Sequence, residues 1–280
     1  MGHITDIEGR KRIAIKACKG ISGILMDNFG KAIRIRNKGD RDLVTDIDKK
    51  AEKKIIELIN KNFPEDNILA EESYPLPSDA AFTPLDSKLN IQRDKHLTGF
   101  RWIIDPIDGT HNFIHDIGIF GTSIALEFKK TVVTGVIYMP CTDELYIAQK
   151  GKGAYCNGKR ITVSKRKLRE ATMVYDSGIR YNKKQMLNGL NRLVDKIFNV
   201  RMFGSTARSL TYLAEGKVDI EIEFNDKVWD FAAGLLLVEE AGGKASDFKG
   251  KSWNTDTQGY IASNGIIHKD VLKIMKNSLK

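Results

Sequence analysis

The stretch Trp102-Ile103-Ile104-Asp105-Pro106-Ile107-Asp108-Gly109-Thr110-His111-Asn112-Phe113 decides how the rest of this 280-residue chain is read. Its apolar start predicts a short buried strand, Trp102 to Ile104, that runs straight into acidic residues. Asp105 closes the strand, Pro106 stops the ladder because it has no N–H to donate, and Asp108 follows on a turn. Gly109 and Thr110 then open a helical or turn segment whose unpaired amides form an anion site. Two carboxylates beside a phosphate cradle are what metal-assisted phosphoryl chemistry requires. A structural turn could use the Asp108-Gly109 pair, but it has no use for Asp105.

Outward from this stretch, carboxylates recur wherever an apolar run stops. Asp42 to Asp48 lead into a helix, Glu71 and Glu72 follow the short strand Ile68 to Ala70, and Asp230 stands at the start of a helical pattern. Taken singly, each is a helix cap or a surface charge. Together they can converge, because the ends of strands and helices meet in space although they are distant in sequence. An all-carboxylate set suits a hard cation such as Mg²⁺ better than zinc, which favours His and Cys.

The elements are legible from periodicity. Ile13, Ala17, Ile21, Ile24, Leu25 and Phe29 share one helical face within 7–29, with Lys and Arg opposite. Thr45 and Asp48, three apart, form a capping-box-like start to a second amphipathic helix through Asn60, striped by Ile47, Ala51, Ile55, Leu58 and Ile59. Residues 74–100, with Pro75, Pro77 and Pro84, read as a long loop. Strands are predicted at 121–128, 132–138 and 144–149, and near 172–175, 200–202, 218–223 and 259–262. Helices are predicted at 183–198, 206–215, 230–241 and 266–279. Without a regular βαβαβ rhythm, this is a layered α+β fold and not a doubly wound one. No linker separates a half at about 1–150 from a half at 151–280, so the chain reads as one unit.

Composition narrows the function classes. A 41% hydrophobic share excludes wholesale disorder, and no apolar run reaches the roughly 20 residues of a membrane helix. Residues 1–12 lack the apolar core of a signal peptide. Cys18, Cys141 and Cys156 are scattered and odd in number, which fits a reducing cytosol and no disulfide framework. The net charge of +9 concentrates in 1–41, with ten basic and four acidic residues, and in 164–202, with ten basic and three acidic. No aromatic-interleaved nucleic-acid motif accompanies either segment, so solvated basic faces are expected.

Asp105-Pro-Ile-Asp-Gly-Thr110, with Trp229-Asp-Phe-Ala-Ala-Gly234, Glu71-Glu72-Ser73 and Asp42-Leu-Val-Thr-Asp-Ile-Asp48, resembles the inositol monophosphatase family of Mg²⁺-dependent, lithium-sensitive phosphatases. The resemblance implies an α-β-α-β-α sandwich, of the kind that fructose-1,6-bisphosphatase also has, and usually a homodimer. It places Glu71, Asp105 and the Ile107 carbonyl on one Mg²⁺, and Asp105, Asp108 and Asp230 on a second. A weaker third ion would be helped by Glu71. It gives Thr110 and Asp48 the task of orienting and deprotonating the attacking water, supported by Glu72, and gives the Gly109 and Thr110 amides the phosphate. Gly204, Ser205 and Thr206 resemble the stretch that touches the substrate ring, and Glu223 matches a carboxylate that accepts a sugar hydroxyl. Lys38 would approach the metal-bound waters. His111 stands where the family commonly has a small residue and is expected to be a spectator. The implied partner is a small phosphate monoester of inositol or a related polyol, with fructose 1,6-bisphosphate, histidinol phosphate and adenosine 3′,5′-bisphosphate as alternatives. A nucleic-acid-binding regulator is the rival from another class.

Overall fold

In the computed structural model, residues 6–31, 35–39, 42–73 and 98–276 are described. Helix α1 (Ile7–Asn28) starts at Asp6, whose carboxylate accepts the Gly9 amide at 2.6 Å. A hairpin of β1 (Ile35–Gly39) and β2 (Asp42–Thr45) follows, where no strand was predicted. Thr45 and Asp48 then form the predicted capping box of α2 (Asp46–Asn62).

Seven strands make the larger sheet. They are β3 (Asn67–Ala70), β4 (Phe100–Asp108), β5 (Gly121–Phe128), β6 (Thr131–Met139), β7 (Glu144–Gln149), β8 (Gly153–Cys156) and β9 (Lys159–Arg160), paired in chain order. The short helix α3 (Thr110–Ile114) lies between β4 and β5. The second sheet has the order β11-β10-β12-β14-β13. It is built from β10 (Thr172–Tyr175), β11 (Asn199–Arg201), β12 (Ile220–Glu223), β13 (Lys244–Asp247) and β14 (Tyr260–Ser263). Its helices are α4 (Lys183–Val194), α5 (Thr206–Ala214), α6 (Val228–Glu240) and α7 (His268–Lys276).

Strand alternation creates the layers. Ile68, Trp102, Ile104, Ile124 and Leu126 pack against α1 and α2, whereas Leu69, Ile103 and Ala125 face the opposite way, toward α5 and α6. In the second sheet Val174, Tyr260 and Ala262 join the α5–α6 layer, and Met173, Tyr175, Ile220, Ile222 and Ile261 pack against α4 and α7. The result is the expected α-β-α-β-α sandwich, with α5 and α6 as the middle layer.

Four sequence expectations differ from the structure. β4 does not stop at Pro106: a register shift between Asp105 and Asp108 absorbs it, and pairing resumes at Asp108 with Gly121. α4 is shorter than 183–198, ending at Val194, and α6 begins at Val228, before the predicted start at 230. Arg10 is not on a solvated face of α1. It is buried, its guanidinium forms a two-pronged pair with Asp66 at 2.7 Å for each bond, and it lies over the Phe63 and Phe100 rings. The loop expected at 74–100 falls outside the described residues as far as 97, with Lys88, Arg93, Lys95 and His96 in it.

Candidate metal-dependent active site

The bulge in β4 is what turns one strand into a site. A regular strand would send Asp105 and Asp108 to opposite faces, since they are three residues apart. The shift breaks that alternation, and Asp105, Asp108 and Asp230 offer carboxylate oxygens that all lie within 4.8 Å of one another. Asp105 also accepts the Ile107 amide at 2.9 Å, which holds the bulge closed. Asp230 comes from the first turn of α6, where it accepts the Lys227 amide at 2.8 Å. Glu71 follows β3, its amide bonded to the Ile104 carbonyl at 3.1 Å, and its carboxylate lies within hydrogen-bond reach of Asp105.

These groups repel one another. Burial, and then the charges of Glu71, Asp108 and Asp230, hold Asp105 well above the usual carboxylate range. Burial pushes Asp108 up to about 7, although the Ser205 hydroxyl and the Ala207 and Thr206 amides oppose it. Burial in the cleft, followed by Asp226, Glu71 and Asp108, raises Asp230. Among the described residues no Lys or Arg pairs with Asp105, Asp108 or Asp230. An all-oxygen cluster with unbalanced negative charge fits a hard divalent cation.

Asp48 is fully buried, and its Oδ2 accepts the Thr45 amide at 2.8 Å. Its Oδ1 lies 3.1 Å from the Thr110 Oγ1, which is also 3.0 Å from the Ile107 carbonyl. The capping box of α2 is therefore one wall of the site. Gly109 has φ +88°, and a Cβ there would come within 2.8 Å of the Ile119 carbonyl, so the turn into α3 needs glycine. Ser205 donates its hydroxyl to Asp108, and the Thr206 and Ala207 amides point at the same carboxylate from 3.1 Å each. Ser205 and Thr206 thus grip a cluster carboxylate while also lining, with Gly204, the adjoining cavity. Glu223 lines it too, buried and not on an exposed strand edge. Lys38 falls in β1 but its side chain is outside the described residues. His111 is exposed and stacks on His115 at 4.2 Å.

Sequence reasoning missed four contributors. Glu52, fully buried, accepts the Glu72 amide at 2.7 Å and the Ser73 hydroxyl, which anchors the turn carrying Glu71. Asn112 donates to the Ile119 and Phe203 carbonyls, at 2.8 Å each, and the bond to Phe203 ties α3 to the second half. Asp176 and Asp226 line the cavity beside Glu223. A buried acid on the apolar stripe of α2 was the available signal for Glu52. For the other three there was none, because each acts across a distant contact.

Comparison with known proteins agrees with this geometry. Residues 6–280 match the family model described as the inositol monophosphatase family. The chain is 34% identical over 268 residues to a fructose-1,6-bisphosphatase/inositol-1-monophosphatase of Thermotoga maritima, covering 95% of each protein. It is 36% identical over 273 residues to the Nus factor SuhB of Escherichia coli, covering 95% of this chain and 96% of the relative. Among solved structures, the IMPase of Thermotoga maritima superposes with a TM-score of 0.83 at 33% identity, covering 97% of this chain and 98% of the other.

Proposed function

Because this chain belongs to the inositol monophosphatase family, we propose that it is a Mg²⁺-dependent phosphatase that hydrolyses a phosphate monoester of inositol or a related sugar or polyol. The observation that carries this reading is the convergence of Asp105, Asp108 and Asp230 within 4.8 Å, beside Glu71. Glu71, Asp105, the Ile107 carbonyl, Asp108 and Asp230 would hold two Mg²⁺ ions, with a weaker third near Glu71. Bound there, the ions supply Lewis-acid stabilisation of the phosphoryl group and a water of lowered pKa.

The residues themselves do the positioning. The Gly109 and Thr110 amides would hold the phosphate against the cluster. The Thr110 hydroxyl, in contact with Asp48, would orient the attacking water, and Asp48 would take its proton. Glu72 supports this arrangement through the Glu52 anchor. Lys38, from the β1–β2 hairpin, would approach the waters of the site. Glu223 would accept a hydroxyl of the substrate. No covalent intermediate with the enzyme is required, since hydrolysis proceeds by in-line attack of water.

The test is phosphate release from a panel of phosphomonoesters with and without Mg²⁺, and with lithium added. Turnover that needs Mg²⁺, falls at millimolar-type lithium and drops by about 10²–10³ or more in Asp230→Asn supports the reading. Full activity in Asp230→Asn would overturn it. A homodimer is expected, and exposed Phe198 and Met202 flank the edge strand β11. The likeness to Nus factor SuhB supports a second, regulatory reading. Its signature would be salt-sensitive nucleic-acid affinity that survives Asp230→Asn.

A further inference from the structure

Between the start of α4 and the end of α7 lies a second cavity, of about 660 Å³. Small-molecule sites fall in the range of roughly 300–1,000 Å³. It shares no lining residue with the cavity beside the metal cluster, and the rings of Tyr175 and Phe224, 5.8 Å apart, stand between the two. Its floor is aromatic. The Phe224 and Phe248 rings lie 4.9 Å apart at an interplanar angle of 38°. Glycine at position 259 makes room for them, since a Cβ there would come within 2.7 Å of the Phe248 ring and 2.9 Å of the Phe224 carbonyl.

The rim is polar and positive. Lys249 and Lys276 are exposed, and among the described residues neither ammonium pairs with a carboxylate and no Asp or Glu lines the cavity. Three carboxamides complete it, those of Asn182, Gln185 and Gln258. Asn182 begins α4 without a side-chain capping bond, and Gln185 and Gln258 are exposed, so their donors and acceptors are open to a ligand.

Each part of this cavity asks something different of its occupant. A bare phosphate would meet the lysines but gain nothing from the rings. A neutral aromatic would cover the rings and leave two ammoniums unmatched. A nucleoside phosphate satisfies all three features, because its base has a flat face for the rings, its base edge carries donors and acceptors for the carboxamides, and its phosphate oxygens suit lysine. We propose that this cavity is a second ligand site, apart from the catalytic one, that takes a free nucleoside phosphate with its base on the Phe224–Phe248 floor and its phosphates between Lys249 and Lys276.

The test is calorimetry with ADP in the absence of metal. Under that condition the catalytic carboxylates keep their unbalanced charge and repel phosphate, so the second site is read alone. The wild type is expected to bind ADP at least tenfold more tightly than pyrophosphate, since a stacked base contributes about that much. Phe248→Ala should remove that difference, and Lys249→Glu combined with Lys276→Glu should weaken ADP at least tenfold. Both lysines are exposed, so the double variant keeps its fold, which thermal unfolding checks. If Phe248→Ala does not fold, the double variant decides. The readout involves no turnover and stands apart from the phosphatase reading. No ADP binding by the wild type, equal affinity for pyrophosphate, or an ADP affinity unchanged in the double variant overturns the proposal. An adenylate tetramer of RNA bound tenfold more tightly than ADP would assign the cavity to an RNA strand and refute it as well.

Discussion

Asp108 does two things that pull in opposite directions. It belongs to a cluster that needs negative charge, and it is the acceptor on which Ser205, Thr206 and Ala207 converge from the other half of the molecule. Those donors keep its carboxyl at about 7 and not higher. Ser205→Ala removes one of them, so the Asp108 pKa rises. A ligand must be deprotonated to bind a cation, so the variant should need several-fold more Mg²⁺ for half-maximal activity. The gap should widen at pH 6.5, where more of the carboxyl is protonated, and narrow at pH 8.5. A Mg²⁺ titration at the two pH values checks this, and a pH-independent gap would show that Ser205 acts otherwise. Arg10 and Asp66 are a pair of a different kind, buried among rings and completed by Trp102 Nε1 at 2.9 Å and Thr98 Oγ1 at 2.8 Å. Asp66→Ala leaves the guanidinium buried without its partner. It should cost about 3–5 kcal/mol in denaturant unfolding.

At the scale of elements, α2 and α7 each carry a buried polar group that fixes a neighbour. Glu52 on α2 holds the Glu71–Ser73 turn through the Glu72 amide and the Ser73 hydroxyl. Supporting bonds to metal ligands are typically worth 10–100-fold in metal affinity. Glu52→Ala should therefore raise the Mg²⁺ requirement by about tenfold, and Glu52→Gln, which keeps an acceptor, should recover part of it. His268 opens α7 with its ring nitrogens 2.9 Å from the Ser246 and Ser263 hydroxyls. Burial, then Lys244, pushes its pKa down to about 4. The unfolded chain binds that proton near the ordinary value of about 6.5, before the folded one does. The His268 contribution to stability is thus present above about 6.5 and is lost as pH falls through about 4. Thermal unfolding should show a slope in that window that His268→Gln flattens.

At the scale of the whole molecule, α6 connects everything. It lies between the two sheets and presents Asp230 from its first turn, and it packs so closely on the larger sheet that a Cβ on Gly135 would come within 2.6 Å of the Ala233 carbonyl. Backbone cannot yield as a flexible side chain can. Gly135→Ala should cost about 1–3 kcal/mol, and because relief requires moving α6, activity at limiting Mg²⁺ should fall with it. Stability loss with unchanged Mg²⁺ dependence would mean that the sheet moved and not the helix.

The chain's apolar spacing was enough to predict α1, α2 and the strands from 121 to 149, because one-sided burial writes a period of 3.6 or 2 into the residues. The carboxylates at element ends also marked the cluster, since acids after an apolar run are uneconomical unless they meet a cation. What the spacing could not show is where the chain departs from regularity. Pro106 implied the end of a ladder, and only the pairing of Asp108 with Gly121 across a bulge revealed a strand that continues and turns its acids to one side. Arg10 looked solvated because its partner Asp66 is 56 residues away. Nothing along the chain singled out Asp176 and Asp226, which became the wall of a cavity only when β10 and β12 were laid side by side and α5 was packed against β12. Local periodicity reports which face of an element is buried. The identity of the group that meets it is a property of the tertiary contact, and no spacing along the chain encodes it.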